Sequence, residues 1–439
     1  MKWSRFNFMF ESEKHGPLLY NSRTNAFAEL DRESYEKLVR IRENPDACRF
    51  ETEKDQRMLS MLKEGRILIE DSEDELVELK LLTASARSGR NHLGLTIAPT
   101  TDCNFCCPYC YEKRPQVYMT DGTEERLAEF VKDSRARSVS VTWYGGEPLL
   151  AFDRIVRLTA RFLQLDADYS AGMVTNGYLL DDTVISRLDE LKINHIQVTI
   201  DGPEEIHNQR RRHVERDDSF RVIMKNLDSL MSSTWKGRIS IRVNVDNSTK
   251  EYYPQIVSLL RERFHPNDRM HIYPGIVTDT HGACASVEST CFNKEDEARF
   301  ELECCQKHGL DSVSLYPSLN PYSCQANTFN SYVVGPEGEL YKCWNDVGNK
   351  EKAVGTVYKG VKWNMQLLAR YLVGTDAFSD EKCQKCFFLP ICAGGCAYIR
   401  LKNKYEGTCF DSCIKYKKFL RQYLEAHYEK KKAGVEQKN

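Results

Sequence analysis

Residues 101–112, TDCNFCCPYCYE, constrain this chain more than any other stretch. Cys103, Cys107 and Cys110 stand there in a C-x3-C-x2-C pattern. Three thiolates this close can hold three irons of a four-iron, four-sulfur cluster and leave the fourth iron without a protein ligand, whereas a structural cluster normally recruits a fourth cysteine. Cys106 lies inside the loop and permits a second register, C-x2-C-x3-C. Tyr109, an aromatic just before the last cysteine, favours the first. A zinc site is the competing reading of three close cysteines.

The rest of the composition bears on that choice. The chain has 17 cysteines in 439 residues, concentrated in C-x2-C and C-x3-C groups. Its start, MKWSRFNFMFESEKHG, has no signal-peptide core and carries acidic residues, so metal ligation in a reducing cytoplasm is expected rather than a disulfide framework. A net charge of −2 gives no basic field for nucleic acid. No apolar run approaches the roughly 20 residues of a membrane helix.

From about residue 93 the pattern is a repeat of strand and helix. Apolar runs at 93–98, 139–144, 171–175, 195–200, 239–245 and 271–276 alternate with amphipathic stretches such as 124–134, 153–165, 182–191 and 220–231. Six such units predict an α/β fold with a parallel sheet, whose ligands bind beyond the C-terminal strand ends. The cysteine loop follows the first predicted strand. Tyr144-Gly145-Gly146-Glu147-Pro148 follows the second, Thr175-Asn176-Gly177 the third, and Thr199-Ile200-Asp201-Gly202-Pro203 with His207 and Arg211 the fourth. Each taken singly is an ordinary turn; their order behind successive strands is the signal.

With these motifs in this order the chain resembles the radical S-adenosylmethionine (radical SAM) enzymes. The resemblance implies a partial (β/α)6 barrel. Cys103, Cys107 and Cys110 would hold a [4Fe-4S] cluster whose open iron is chelated by S-adenosylmethionine, which is cleaved to a 5′-deoxyadenosyl radical. It further implies cofactor contacts from Tyr109, Gly145, Gly146, Glu147, Asn176, Thr199, Asp201 and Arg211. Glycines allow close backbone approach, and Glu147 can accept from an ammonium. An arginine can bind the cofactor carboxylate bidentately, although Arg210 and Arg212 compete with Arg211 for that task. His207 reads as a structural hydrogen-bonder, and no residue stands out as a catalytic acid or base.

A second cysteine region resembles the SPASM extension of the same superfamily. Its order is Cys324, then Gly338-x4-Cys343, Cys383-x2-Cys386-x5-Cys392-x3-Cys396, and Cys409-x3-Cys413. The resemblance implies two auxiliary [4Fe-4S] clusters, making three in all. Cys324, Cys343 and Cys396 would hold the first. Cys383, Cys386, Cys392 and a late cysteine would hold the second, with Cys413 preferred over Cys409. Residues 325–342 contain no cysteine. The first auxiliary cluster would then keep an open iron, unless Cys284, Cys291 or Cys409 closes it.

Before the barrel, residues 1–88 read as a hairpin, three helices and a short strand. Thr52-x-x-Asp55 forms a capping box, Ser72-x-x-Glu75 opens the third helix, and Ser88-Gly89 is a linker. This resembles the winged-helix-like element with which peptide-modifying enzymes bind a leader peptide as an added strand. Three domains are expected: the recognition element at 1–88, the radical SAM partial barrel at 91–310 and the SPASM domain at 320–425. The implied function is modification of a ribosomally synthesised precursor peptide by a thioether or carbon–carbon cross-link. An electron donor such as flavodoxin or ferredoxin would assist. An anaerobic sulfatase-maturing, formylglycine-generating enzyme and a zinc-stabilised peptide-binding protein are the alternatives.

Overall fold

The computed structural model describes residues 1–44, 50–110, 115–264, 268–278, 290–321 and 324–436. Two compact units emerge. One is built from 1–88, 314–327 and 373–439, the other from 89–313 and 328–372. The span 320–425 is thus divided between both units.

In the first unit, strands β1 (Lys2–Trp3), β2 (Asn7–Ser12), β3 (Gly16–Asn21), β4 (Ala26–Glu29) and β5 (Leu68–Ile69) form two small sheets. β2, β3 and β4 make an antiparallel meander; β1 pairs with β5. The hairpin is set by Asn21, whose side-chain oxygen accepts from the backbone of Arg23 and Thr24 in the turn. Helices Arg32–Glu43, Glu53–Glu64 and Glu75–Arg87 follow. Thr52 caps the second through a complete capping box with Asp55. The third starts later than the expected Ser72 box, at N-cap Asp74. Glu75 is buried and turned inward, accepting from the Ser4 hydroxyl and the Arg5 backbone, so it cannot reach back to cap.

The meander is covered on both faces. Leu19 packs with Leu38, Ile41, Leu62, Ile67 and Leu68 from the neighbouring helices and β5. Leu18 and Tyr20, pointing the other way, pack with Phe10 and with Leu420, Leu424 and Tyr428 of the C-terminal helix Tyr416–Glu436. The 88-residue element is therefore not a free-standing module.

In the second unit, six parallel strands stand in sequence order: β6 (His92–Ile97), β7 (Ser138–Trp143), β8 (Asp168–Thr175), β9 (Ile193–Thr199), β10 (Arg238–Val245) and β11 (Met270–Ile276). β12 (Ser331–Val334) adds parallel to the free edge of β6, followed by antiparallel β13 (Glu339–Tyr341) and β14 (Gly355–Thr356). The expected helix at 182–191 is shorter, Asp182–Ile185; the chain then passes through turns to Lys192, at φ 55°, before entering β9.

Strand alternation separates two chemistries. Ile239, Ile241, Val243 and Val245 of β10, with Ile196 and Val198 of β9, are fully buried on the apolar side. The alternate residues are polar and bond to one another. His195 pairs with Ser240 at 2.8 Å, and the Tyr273 hydroxyl donates to Gln197 at 2.6 Å.

Leu424→Ala tests whether the C-terminal helix is integral to the first unit. Removing this fully buried side chain should cost about 2–5 kcal/mol in denaturant unfolding. A loss below about 1 kcal/mol would show that the meander's second face does not need it.

Candidate functional site

Beyond the C-terminal ends of β6–β11 lies a cavity of about 730 Å3. The loop after β6 brings Cys103, Cys107, Cys110 and Tyr109 to it, the loop after β7 Tyr144, Gly145 and Gly146, and the end of β8 Asn176. Thr199, Arg211, Gln197, Arg242 and Asn244 complete the wall, and Tyr144 stacks on Trp344 with ring centres 4.8 Å apart.

Glycine sets the approach of the first two loops. A Cβ on Gly145 would stand 2.3 Å from the Thr100 carbonyl oxygen, and one on Gly146 would stand 2.1 Å from that of Asp102. Gly145 also has φ 135°, a conformation that disfavours other residues. Backbone bonds clamp the contact: Gly146 N–H donates to Thr100 and Glu147 N–H to Asp102, at 3.2 and 2.8 Å.

Glu147 and Asp201 do not line the cavity; both are buried behind it. Glu147 accepts from the Thr175 hydroxyl and the Asn176 N–H, both at 2.7 Å, and from the Leu149 N–H at 3.0 Å. Its carboxylate thus braces the loops after β7 and β8. Burial raises its pKa, and those three donors oppose the rise. Asp201 accepts from the Tyr109 hydroxyl, and Arg211 and the Asn244 amide donate to that same hydroxyl at 2.9 and 3.2 Å. Burial works against the Arg211 charge, but Tyr109, Cys107 and Asp201 outweigh it and hold the guanidinium pKa above its usual value.

The competing arginines are engaged elsewhere. Arg210 donates to Asp246 at 2.8 Å, and Arg212 lies on the exposed Cys106, with Nε 3.4 Å from Sγ. Arg211 Nε is buried without a hydrogen-bond partner, as are Nε and Nη2 of Arg210, but of the three arginines Arg211 alone lines the cavity. His207 is fully buried; its Nδ1 accepts from the Asp201 N–H at 3.3 Å.

The late cysteines divide between the units. Cys383, Cys386, Cys392 and Cys413 are neighbours in the first unit: Cys392 lies within electrostatic reach of Cys413 and Cys383, and Cys383 of Cys386. Arg400 and Lys417 donate to the sulfurs of Cys383 and Cys413, at 3.4 and 3.2 Å. Cys409 is exposed. Cys324 and Cys396 belong to the first unit and Cys343 to the second. Cys291 is disulfide-bonded, and Cys284 lies outside the described residues. Among the described residues, no three His, Cys, Asp or Glu side chains are grouped as a single metal ion would require.

Sequence reasoning missed Gln197, Arg242, Asn244 and Trp344. For Arg242 and Asn244 a signal existed: Ser240-x-Arg242-x-Asn244 is the polar half of an alternating strand.

Comparison with known proteins agrees with this geometry. The family model of the Radical SAM superfamily matches residues 97–260, the segment that supplies the cysteine loop and the C-terminal ends of five of the six parallel strands. Residues 97–260 thus carry a radical SAM domain, and the chain is an enzyme. Among curated relatives, a serine-type anaerobic sulfatase-maturating enzyme of Bacteroides thetaiotaomicron is 23% identical over 350 residues, covering 70% of this chain and 82% of that protein. A cysteine-type enzyme of Clostridium perfringens is 22% identical over 363 residues, covering 75% and 95%. Among solved structures, native anSMEcpe with bound AdoMet and Cp18Cys peptide matches with TM-score 0.53 and 20% identity, over 79% of this chain and all of that one. Streptococcus suis SuiB bound to precursor peptide SuiA matches with TM-score 0.50 and 17% identity, over 92% and 97%. These likenesses establish the shared fold. The family's cofactors are a [4Fe-4S] cluster and S-adenosylmethionine, and the donor set fits them: three cysteines from one loop, the Arg211 guanidinium and bare glycine backbone at one cavity.

Gly146→Ala forces the two loops apart. Its expected cost exceeds about 4 kcal/mol, the range of severe steric and strain effects. Reconstituted protein should carry less iron by chemical analysis, while a full iron complement would show that the loops tolerate separation.

His207 gives a pH signature. Burial, then Arg211, depresses its pKa well below the usual imidazole range. The unfolded chain binds the extra proton as pH falls through about 6.5, so stability present above that pH is lost below it, by at most about 1.4 kcal/mol per pH unit. Denaturant titrations at pH 7.5 and 5.5 should show a smaller difference in His207→Gln than in wild type; equal differences would refute the assignment.

Proposed function

We propose that this enzyme is a peptide maturase that installs a cross-link, a thioether or a carbon–carbon bond, in a ribosomally synthesised precursor peptide. The observation that carries the reading is the convergence of three loop thiols, Arg211 and an aromatic pair on one cavity at the parallel strand ends. When bound, the cluster and S-adenosylmethionine supply a 5′-deoxyadenosyl radical.

The chain's own residues would hold and orient these groups. Cys103, Cys107 and Cys110 ligate the cluster. Arg211 offers its guanidinium to the cofactor carboxylate, while Tyr109 and Asp201 fix it in place. Gly145 and Gly146 offer backbone to the methionine end, and Asn176 and Thr199 line the wall for the nucleoside. Glu147 keeps the loops in register from behind. Cys383, Cys386, Cys392 and Cys413 hold one auxiliary cluster, and the remaining SPASM-type cysteines a second. Residues 1–88 bind the leader, and a small reductase partner of the flavodoxin or ferredoxin type delivers electrons.

The thioether is favoured because 325–342 contains no cysteine, which leaves an auxiliary iron for a substrate thiolate. The extent of the match to a structure described as bound to a precursor peptide, 92% of this chain, supports the peptide substrate. Formylglycine formation is the second reading, favoured by the sulfatase-maturating relatives, one matched over 95% of its length.

The test uses the full chain, because the meander core of 1–88 includes the C-terminal helix. Anaerobically reconstituted enzyme with S-adenosylmethionine and dithionite should form 5′-deoxyadenosine. The Cys103, Cys107 and Cys110 triple alanine variant should lose it, together with about four irons per chain. A cysteine-containing peptide should perturb the electron paramagnetic resonance of the variant's remaining clusters. Deoxyadenosine formation by the triple variant would end the reading. A signal unmoved by the peptide would remove the thioether, and conversion of a sulfatase-derived Cys or Ser peptide to an aldehyde would establish the second reading.

A further inference from the structure

The cavity wall contains two cations and, among the described residues, no carboxylate: Arg211 and Arg242 line it, whereas Glu147 and Asp201 lie behind it. Arg211 is tied to the cysteine loop through the Tyr109 hydroxyl and acts on the Cys107 thiol. Arg242 is different. It projects from β10, whose neighbour β11 ends the sheet on the side away from β6. Its Nε donates to the Asn244 side-chain oxygen at 2.8 Å, and no acidic residue pairs with it among the described residues.

Its placement is built. Gly275 of β11 lies opposite Asn244 in the register, and a Cβ there would fall 2.4 Å from Arg242 Nε and 2.8 Å from Cζ. The glycine leaves the space in which the guanidinium rests, and Asn244 fixes its plane through Nε. The two terminal amino groups are left as a fork, the geometry that binds a carboxylate bidentately. A half-buried, unpaired guanidinium is held at a cost in desolvation unless a ligand supplies the counter-charge.

We propose that Arg242 binds a carboxylate of the substrate, so that the peptide carries an acidic side chain or its C-terminus close to the residue modified. This rests on the peptide-maturase reading. The other source of a carboxylate is the methionine end of the cofactor. Arg211, tied to the cysteine loop through the Tyr109 hydroxyl, serves that group, which leaves Arg242 for the substrate.

The experiment uses reconstituted, unreduced enzyme, in which S-adenosylmethionine stays intact. Two fluorescent probes are compared by anisotropy in its presence: the peptide acetyl-Gly-Cys-Gly-Glu-Gly-amide and its Gln counterpart. Equilibrium dialysis measures binding of radiolabelled S-adenosylmethionine to the same preparations. Wild type should prefer the Glu probe by about tenfold, as expected for a charge-assisted pair. Arg242→Gln should abolish the preference, and Arg242→Lys should restore part of it. Cofactor binding should stay within about twofold in both variants, against a tenfold or larger loss in Arg211→Gln. Lack of preference in wild type, or a preference that survives in Arg242→Gln, overturns the proposal. Loss of cofactor binding in both Arg242 variants, with iron content unchanged, assigns the residue to the cofactor and overturns it as well. Should the underlying reading itself be wrong, reduced wild type with S-adenosylmethionine leaves cysteine-containing peptides without a cross-link, or converts a sulfatase-derived Cys or Ser peptide to an aldehyde, whatever the two probes show.

Discussion

The site depends on two backbone loops lying against each other with no side chain between them. Gly145 and Gly146 come so close to residues 100–102 that a single methyl group at either position would overlap a carbonyl oxygen. Once the loops meet, their N–H and C=O groups are buried and must be paired. Gly146 and Glu147 donate across the contact, and the Glu147 carboxylate collects donors from the ends of β7 and β8. One carboxylate locks two strand ends, and the Gly146 and Glu147 N–H groups tie the loop after β6 to them. A buried carboxylate is costly unless its oxygens are satisfied, and three short hydrogen bonds satisfy these.

Asp201 performs the corresponding task on the other side. Through the Tyr109 hydroxyl it joins the cysteine loop to β9, while Asn244 and Arg211 join the same hydroxyl from β10 and the segment after β9. The cysteine loop is therefore suspended between two acid-centred networks. That arrangement suits thiols that must all face one cavity: a loop has no internal hydrogen-bond ladder to fix it, so neighbouring strands supply the rigidity.

The parallel sheet was legible because its strands alternate apolar with polar residues on a period of two, as in Ile239 to Val245. The cysteine loop and the turns behind successive strands were legible because sequence order maps directly onto strand order in such a sheet. What Glu147 and Asp201 do was not legible. A carboxylate at a strand end looks the same in sequence whether it meets a ligand or the backbone behind it. The second cover of the N-terminal meander was hidden for another reason: Leu424 lies about four hundred residues beyond Leu18, and no local periodicity reports such a pairing. The one hint was that Leu18, Leu19 and Tyr20 are consecutive and apolar, which already implies burial on both faces. Arg242 needed the register as well, since only its alignment beside Gly275 distinguishes it from any other strand arginine.

The absence of carboxylate and imidazole side chains from the described cavity wall has a chemical consequence. Proton transfer there has no carboxylate or imidazole base to call on; the titratable groups of the wall are thiols, two tyrosines, of which Tyr109 is bonded to Asp201, and arginines that stay charged. Hydrogen-atom abstraction needs no base, because proton and electron leave together. A bond closed between a carbon radical and an already deprotonated thiolate would need no base either, but it releases one electron, which an auxiliary cluster of the kind proposed above would take up. A reaction that must strip a further proton from carbon or oxygen would require an acceptor from the substrate, from water or from residues outside this wall.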